Sequence, residues 1–147
     1  MADREDPLIS FTFMLEVQGA VSGYFTQISG IGSESETVEH KVVDGKGHEV
    51  TIMEPGRIKW TPITLKRGIT SNMDVWKWRQ LVVDGKMKDA RKNATITALD
   101  RAYGAVARWN LVNAWPSKVT GPEFNSETGS IAIEEVTIVH EGLIRES

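Results

Sequence analysis

The sequence predicts a mainly β domain, an antiparallel sandwich or small barrel, with one α-helix at about residues 71–84. Three observations carry this. Most segments alternate apolar and polar residues with period two, the pattern of a strand with one buried face. Glycine- and proline-bearing turn signals separate those segments. One segment alone switches to helical period. At 147 residues the chain is one domain with a single core, and with 0 cysteines it folds without disulfides.

The elements follow in order. Phe11, Phe13, Leu15 and Val17 share one strand face, Gln18-Gly19-Ala20 is a turn, and Val21 to Ile28 returns as a hairpin. Ser33 to Val43, SESETVEHKVV, alternates with few apolar residues on either face. It predicts an edge strand guarded by charge, or a strand with one wet face. Asp44 to His48 is a loop tip, Glu49 to Met53 returns from it, and Glu54-Pro55-Gly56-Arg57 is another turn. Ile58 to Arg67 is the next strand, with Pro62 marking an edge or bulge.

Ser71 stands at an N-cap position with Asp74 three residues on. Val75, Trp78, Leu81 and Val82 then share one helical face, and Gly85 suits the left-handed position after the helix. Lys86 to Lys92 reads as a solvated basic connection. Ala94 to Asp100 and Ala105 to Trp115 are strands joined by a turn at Arg101 to Gly104, and Pro116 helps end the second. In the last strand, Ile131 to Gly142, the apolar set changes phase, which predicts a β-bulge near Glu134-Glu135.

Charge is balanced at a formal −3, without the basic excess of a nucleic-acid binder. No apolar run approaches the ~18 residues that span a bilayer. The charged start, Met1 to Pro7, lacks the apolar region of a secretory signal, so assembly is expected in the cytosol.

Chemistry is hard to find. His40, His48 and His140 are the only histidines, and no two have the spacing of a metal motif. No Gly-x-Ser-x-Gly elbow occurs, and the Gly-x-Gly pairs at 30–32 and 45–47 lack the rest of a phosphate loop. Glu134 and Glu135 point to opposite faces of a strand, the wrong geometry for joint work on one bond. No catalytic residue, metal or cofactor is expected. Five tryptophans stand out: Trp60, Trp76, Trp78, Trp109 and Trp115. Trp109, Leu111 and Trp115 carry odd numbers in one strand, with Ala107 and Asn113 completing the row. Such a row reads as core or subunit interface, the other reading being a stacking platform.

Several segments resemble one family in order along nearly the whole chain. They are Asp6-Pro7-Leu8 running into Phe11 to Val17, Ile63 to Thr70, and Trp76 to Trp78 on a helix. Ala107 to Pro116, Gly121-Pro122 and Ile133 to Leu143 follow. Together they resemble the phage tail tube protein family, which includes the inner-tube proteins of contractile phage tails and of extracellular contractile injection systems. The resemblance implies two packed antiparallel sheets, a β-sandwich or split barrel, with the helix flanking them. It implies residues 1–147 as one tail-tube domain, residues 1–7 being a flexible or subunit-contacting arm. It implies six copies in a ring, rings stacked into a hollow conduit, and a sheath whose contraction drives tube and cargo through a target envelope. Partners would be the chain itself, the sheath, baseplate or spike, tape-measure or cap proteins, and protein cargo in the lumen. The implied place is a phage tail or a released particle.

On that resemblance, the loop Asp44 to Gly56 is expected to reach a neighbouring subunit, through Asp44, Gly45, Lys46, Gly47, His48, Glu54, Pro55 and Gly56. Glu34, Glu36, Thr37 and Glu39 are expected to face the lumen. Trp78, Trp109, Leu111, Trp115 and Pro116 are expected as core and family signature. Two other readings stay open: a carbohydrate- or ligand-binding β domain with a tryptophan platform, and a hydrolase using His140 and nearby acids.

Overall fold

The computed structural model describes residues 11–121 and 132–146. The predicted arm at 1–7 and the start of the last strand at Ile131 lie outside them. Strands β1 (Thr12–Val17) and β2 (Ala20–Phe25) form the first hairpin. Gln18 and Gly19 both have positive φ, 51° and 81°, the turn that matches the twist of paired strands. At Thr26 the chain changes partner. Phe25 is opposite Phe13 on β1, but Thr26 N–H donates to the Lys66 carbonyl, and β3 (Gln27–Ser29) continues along β6 (Ile63–Gly68).

The second corner lies in β8 (Ala105–Thr120), which runs well past the predicted end at Trp115. Its first part pairs with β7 (Lys92–Leu99) and with β10 (Gly142–Arg145); its second part pairs with β9 (Ile133–Val139). Pro116 does not stop it. The proline sits where the register with β9 shifts, the one kind of interior ladder site a missing N–H tolerates. Two antiparallel sheets therefore share one long strand: β2-β1-β7-β8-β10 and β8-β9-β6-β3.

Between them lies the core, with Leu15, Phe25, Ile63, Ile96, Leu111 and Ile138 almost wholly buried. Helix α1 (Asp74–Val83) closes it with Val75 and Trp78. Each such side chain contributes roughly 1.5–3 kcal/mol by leaving water. The helix starts three residues later than predicted. Ser71 does not cap it; Asn72 Oδ1 accepts the Asp74 N–H instead. Its end is as the glycine suggests: Gly85 has φ 77°, Gly85 N–H donates to Val82 and Lys86 N–H to Leu81. The basic connection holds a short helix, α2 (Met87–Ala90), and is more than solvated chain. Ala90 is buried, and its carbonyl accepts the Trp78 indole N–H at 2.6 Å.

The bulge expected near Glu134-Glu135 is absent. Glu134, Val136 and Ile138 are buried in strict alternation. The apolar phase breaks because a buried charge occupies a core position: Glu134 lies opposite Arg67 and accepts its Nε–H at 3.0 Å. Trp76 Nε1–H, from α1, donates to the other carboxylate oxygen. The Arg67 guanidinium lies 4.8 Å from the Phe25 ring centroid. The charge pair and the indole thus join one sheet to the helix, and the Arg67–Phe25 contact reaches β2 of the other sheet.

Candidate functional site

One element stands outside this body. Strand β4 (Ser33–Val43) pairs only with β5 (Glu49–Trp60), forming a separate two-stranded sheet. The predicted turn at Glu54 to Arg57 is strand instead, and the loop predicted from Asp44 to Gly56 shrinks to the tip. There Asp44 Oδ1 accepts the N–H groups of Lys46 and His48, and Gly47 takes φ 81°. Asp44, Gly45, Lys46, Gly47 and His48 are at the tip, whereas Glu54, Pro55 and Gly56 lie within β5. The register shifts between Ser35 and Thr37, so β5 carries one extra residue near Pro55 and Gly56. At 12 residues, β5 is about 40 Å long. The strand predicted from Ile58 to Arg67 divides at Thr61-Pro62 into β5 and β6.

Every residue of β4 is exposed, as are all of β5 except Gly56 and Trp60. The composition is nevertheless not that of a soluble arm. Val38, Val42, Val43, Val50, Ile52, Met53 and Ile58 are all at least 40 % exposed. Register sorts them by face. Val38, Val42, Val50 and Ile52 share one face, with His40 opposite Ile52 and 3.3 Å from Glu54. Val43 and Met53 lie on the other. The four residues expected to face a lumen are divided in the same way: Glu34 and Glu36 on the Val38 face, Thr37 and Glu39 on the Met53 face. They do not form one wall, because consecutive strand residues point in opposite directions.

The tryptophans do not make a platform. Trp78 is in the core, and Trp76 is half-buried on Glu134. Trp109 packs against the core cluster beneath the Arg145 guanidinium. The odd-numbered row breaks at Asn113, whose φ of 48° shifts the phase, so Ala114 and Pro116 are buried in line with Leu111. Trp115 is half-buried on the opposite side of the strand, a correction to the row read from parity. Nothing in the sequence marks Asn113 as that break except that asparagine tolerates a left-handed backbone.

No cluster of three metal-ligating side chains exists among the described residues, nor a helix long and apolar enough to cross a membrane. His48 lies 3.6 Å from Asp44 at the tip, and His140 packs against Trp60 with ring centroids 5.7 Å apart. His40 and His140 are held by different neighbours, so the hydrolase reading has no assembled acid–base group. Sequence reasoning missed Arg67; its only signal was a lone basic residue in the Leu65 phase of a strand.

Comparison with known proteins bears on this geometry. The family model of T4-like virus tail tube protein gp19 matches residues 9–144. The fold is similar to a chain of the sheath–tube complex of an extracellular contractile injection system, PVC, in its extended state. The two share 24% identity over 97% of this chain and 93% of that chain, with TM-score 0.73. The cap of the anti-feeding prophage contains a similar chain, with 21% identity over 100% and 95% of the two chains and TM-score 0.74. Hcp1 from Flavobacterium johnsoniae is similar at 15% identity over 92% and 94%, with TM-score 0.51. No curated protein matches the chain.

Proposed function

The chain belongs to the T4-like virus tail tube protein gp19 family, and from that premise we propose how it builds a tube: six copies close into a ring, and rings stack through the β4–β5 hairpin into a hollow conduit. It is a structural tail tube protein. The alternative, a ligand-binding domain with a tryptophan platform, has no support, since Trp109 and Trp115 lie on opposite sides of their strand. The conduit performs no catalysis and needs no cofactor. Sheath contraction drives it, with protein cargo in its lumen, through a target envelope. The sheath, a baseplate or spike, and tape-measure or cap proteins complete the particle. Solved chains of similar fold come from a sheath–tube complex, a tube cap and a baseplate, which supports this set of partners. Assembly takes place in the cytoplasm, and the particle is then a phage tail or a released injection system.

The carrying observation is the hairpin. A two-stranded sheet alone in water is marginal, and this one exposes seven large apolar side chains. A second copy of the chain is the partner that a self-assembling tube supplies at high local concentration. The Val38–Val42–Val50–Ile52 face is the contact, and the tip from Asp44 to His48 reaches furthest. The test is the double variant Val42→Asp, Ile52→Asp. Both sites are exposed, so monomer stability is expected to change by no more than about 0.5 kcal/mol per site, while stacked rings vanish from negative-stain images. Normal tubes from that variant would refute the assignment.

A further inference from the structure

The hairpin is set on the body by a compact root. Gly30 has φ 86°, and a methyl group there would overlap the Pro62 carbonyl. Thr61 N–H donates to the Gly32 carbonyl at 3.3 Å. Trp60, the last residue of β5, lies against His140 with the two rings tilted by 50°. His140 is fixed to the body, in the short link between β9 and β10, where Glu141 N–H donates to the Val112 carbonyl. The imidazole is therefore a body group wedged beneath a hairpin group.

We propose that His140 is a proton-operated joint: neutral, it seats Trp60 and holds the hairpin at its working angle, and protonated, it loosens the root. Both ring nitrogens are shut off from solvent, and neither makes a well-formed hydrogen bond. What packs on the ring is the Trp60 indole from β5, the backbone at Thr61, and the backbone of Gly142 at the start of β10. No carboxylate is paired with it among the described residues. Of its charged chain neighbours, Glu141 accepts the Asn113 amide at 2.7 Å. Lys59 is opposite Glu34, on the other side of the hairpin from Trp60. A positive charge at His140 thus has no anion to meet.

Burial accordingly holds the His140 pKa below the usual histidine value; the nearby backbone of Gly142 and Thr61 works the other way and is outweighed. The sign follows. A histidine whose folded pKa is depressed contributes its full stability above the usual value of about 6.5, and loses it as pH falls through that value toward the depressed one. The root is tight at neutral pH and loosens on acidification.

Hydrogen exchange of the full chain, followed by mass spectrometry from pH 8 to pH 5 and corrected for the intrinsic rate, tests this. In the unmodified protein, amides on either side of the root, at 31–35 and 57–61, are expected to lose protection several-fold below pH 6.5. The loss is expected to disappear in His140→Phe and in His140→Gln, and to persist when the hairpin histidines are changed together, His40→Gln with His48→Gln. A flat profile in the unmodified protein overturns the joint, and so does a loss that survives both His140 variants. If neither variant folds, proton NMR of His140 in the unmodified chain decides: titration at or above the usual value overturns the joint, and titration below it supports it. The consequence for stacking rests on the hairpin reading above, and sedimentation of tubes across the same pH range separates the two. A root that loosens while tubes persist supports the joint and refutes the hairpin's part in stacking.

Discussion

Replacing Glu134 by leucine should destabilise the free subunit severely, and the reason is geometric. Arg67 is 4% exposed and Glu134 6%. Neither can turn to water when the other is removed. A buried ion whose partner is deleted costs about 3–5 kcal/mol. Trp76 Nε1–H loses its acceptor as well, for about 1 kcal/mol more. The total is roughly 4–6 kcal/mol, a large part of the 5–15 kcal/mol that holds a domain folded. With a urea slope of about 2 kcal/mol/M, the midpoint should fall by roughly 2–3 M. The paired change Arg67→Met, Glu134→Leu removes both charges and fills the space with apolar atoms. It should recover most of the loss, because replacing a whole buried pair is often neutral or stabilising. The assay is a double-mutant cycle by urea unfolding on unassembled protein, read by circular dichroism. Two results would refute the reasoning: a single-variant loss under about 1 kcal/mol, or a double variant as unstable as the sum of the singles.

Three further changes test other parts of the structure. Gly30→Ala introduces a methyl group against the Pro62 carbonyl at a left-handed φ of 86°, and should cost at least the ~1–2 kcal/mol of that backbone conformation in urea unfolding. Gly85→Val puts a β-branched residue at the φ of 77° that ends α1. It should cost about 1–2 kcal/mol for the same reason, visible as a lower thermal midpoint. Single cysteines at Glu36 and at Thr37 should react equally with a bulky thiol reagent in free subunits, since both sites are exposed. In assembled tubes they should react unequally, because the two positions are on opposite faces; equal labelling there would count against burial of the Val38 face.

Much of the fold was legible because period-two alternation survives wherever one sheet face is dry. Ser33–Val43 was read with its observed bounds, although it buries nothing, because its polar alternation is itself a strand pattern. The failures share a cause: each is a place where tertiary context overrides a local signal. Glu134 occupies a core position, so apolar counting mistook a buried ion pair for a bulge. Pro116 reads as a stop, yet a register shift accommodates it. Glu54-Pro55-Gly56-Arg57 reads as a turn, yet the β5 bulge absorbs the extra residue. Asn113 turns the chain between sheets, which moves Trp115 off the face of Leu111. The candidate site was legible as a segment but not as a surface. Which of Glu34, Glu36, Thr37 and Glu39 share a side depends on alternation, and which apolar residues join them depends on a cross-strand register that only the pairing reveals.

That surface carries a conflict which its charges resolve. A long hairpin with seven exposed apolar side chains invites pairing with any strand edge it meets. Its open edges are blunted: Pro55 removes a donor in mid-strand, the bulge beside it twists the ribbon, and Glu34, Glu39, Lys41 and Lys59 keep charge along both strands. The cross-strand pairs add little stability. Lys41–Glu49 at 3.9 Å and His40–Glu54 at 3.3 Å are both well exposed, and such pairs are typically worth 0–1 kcal/mol. They serve register instead, since a slip of one residue would put the paired charges on opposite faces and part Val38 and Val42 from Val50 and Ile52. Under the assembly reading, the hairpin is therefore built to refuse generic edge pairing and to accept contact through one face. That is the requirement of a subunit that must stay soluble until a ring of its own kind is there to stack on.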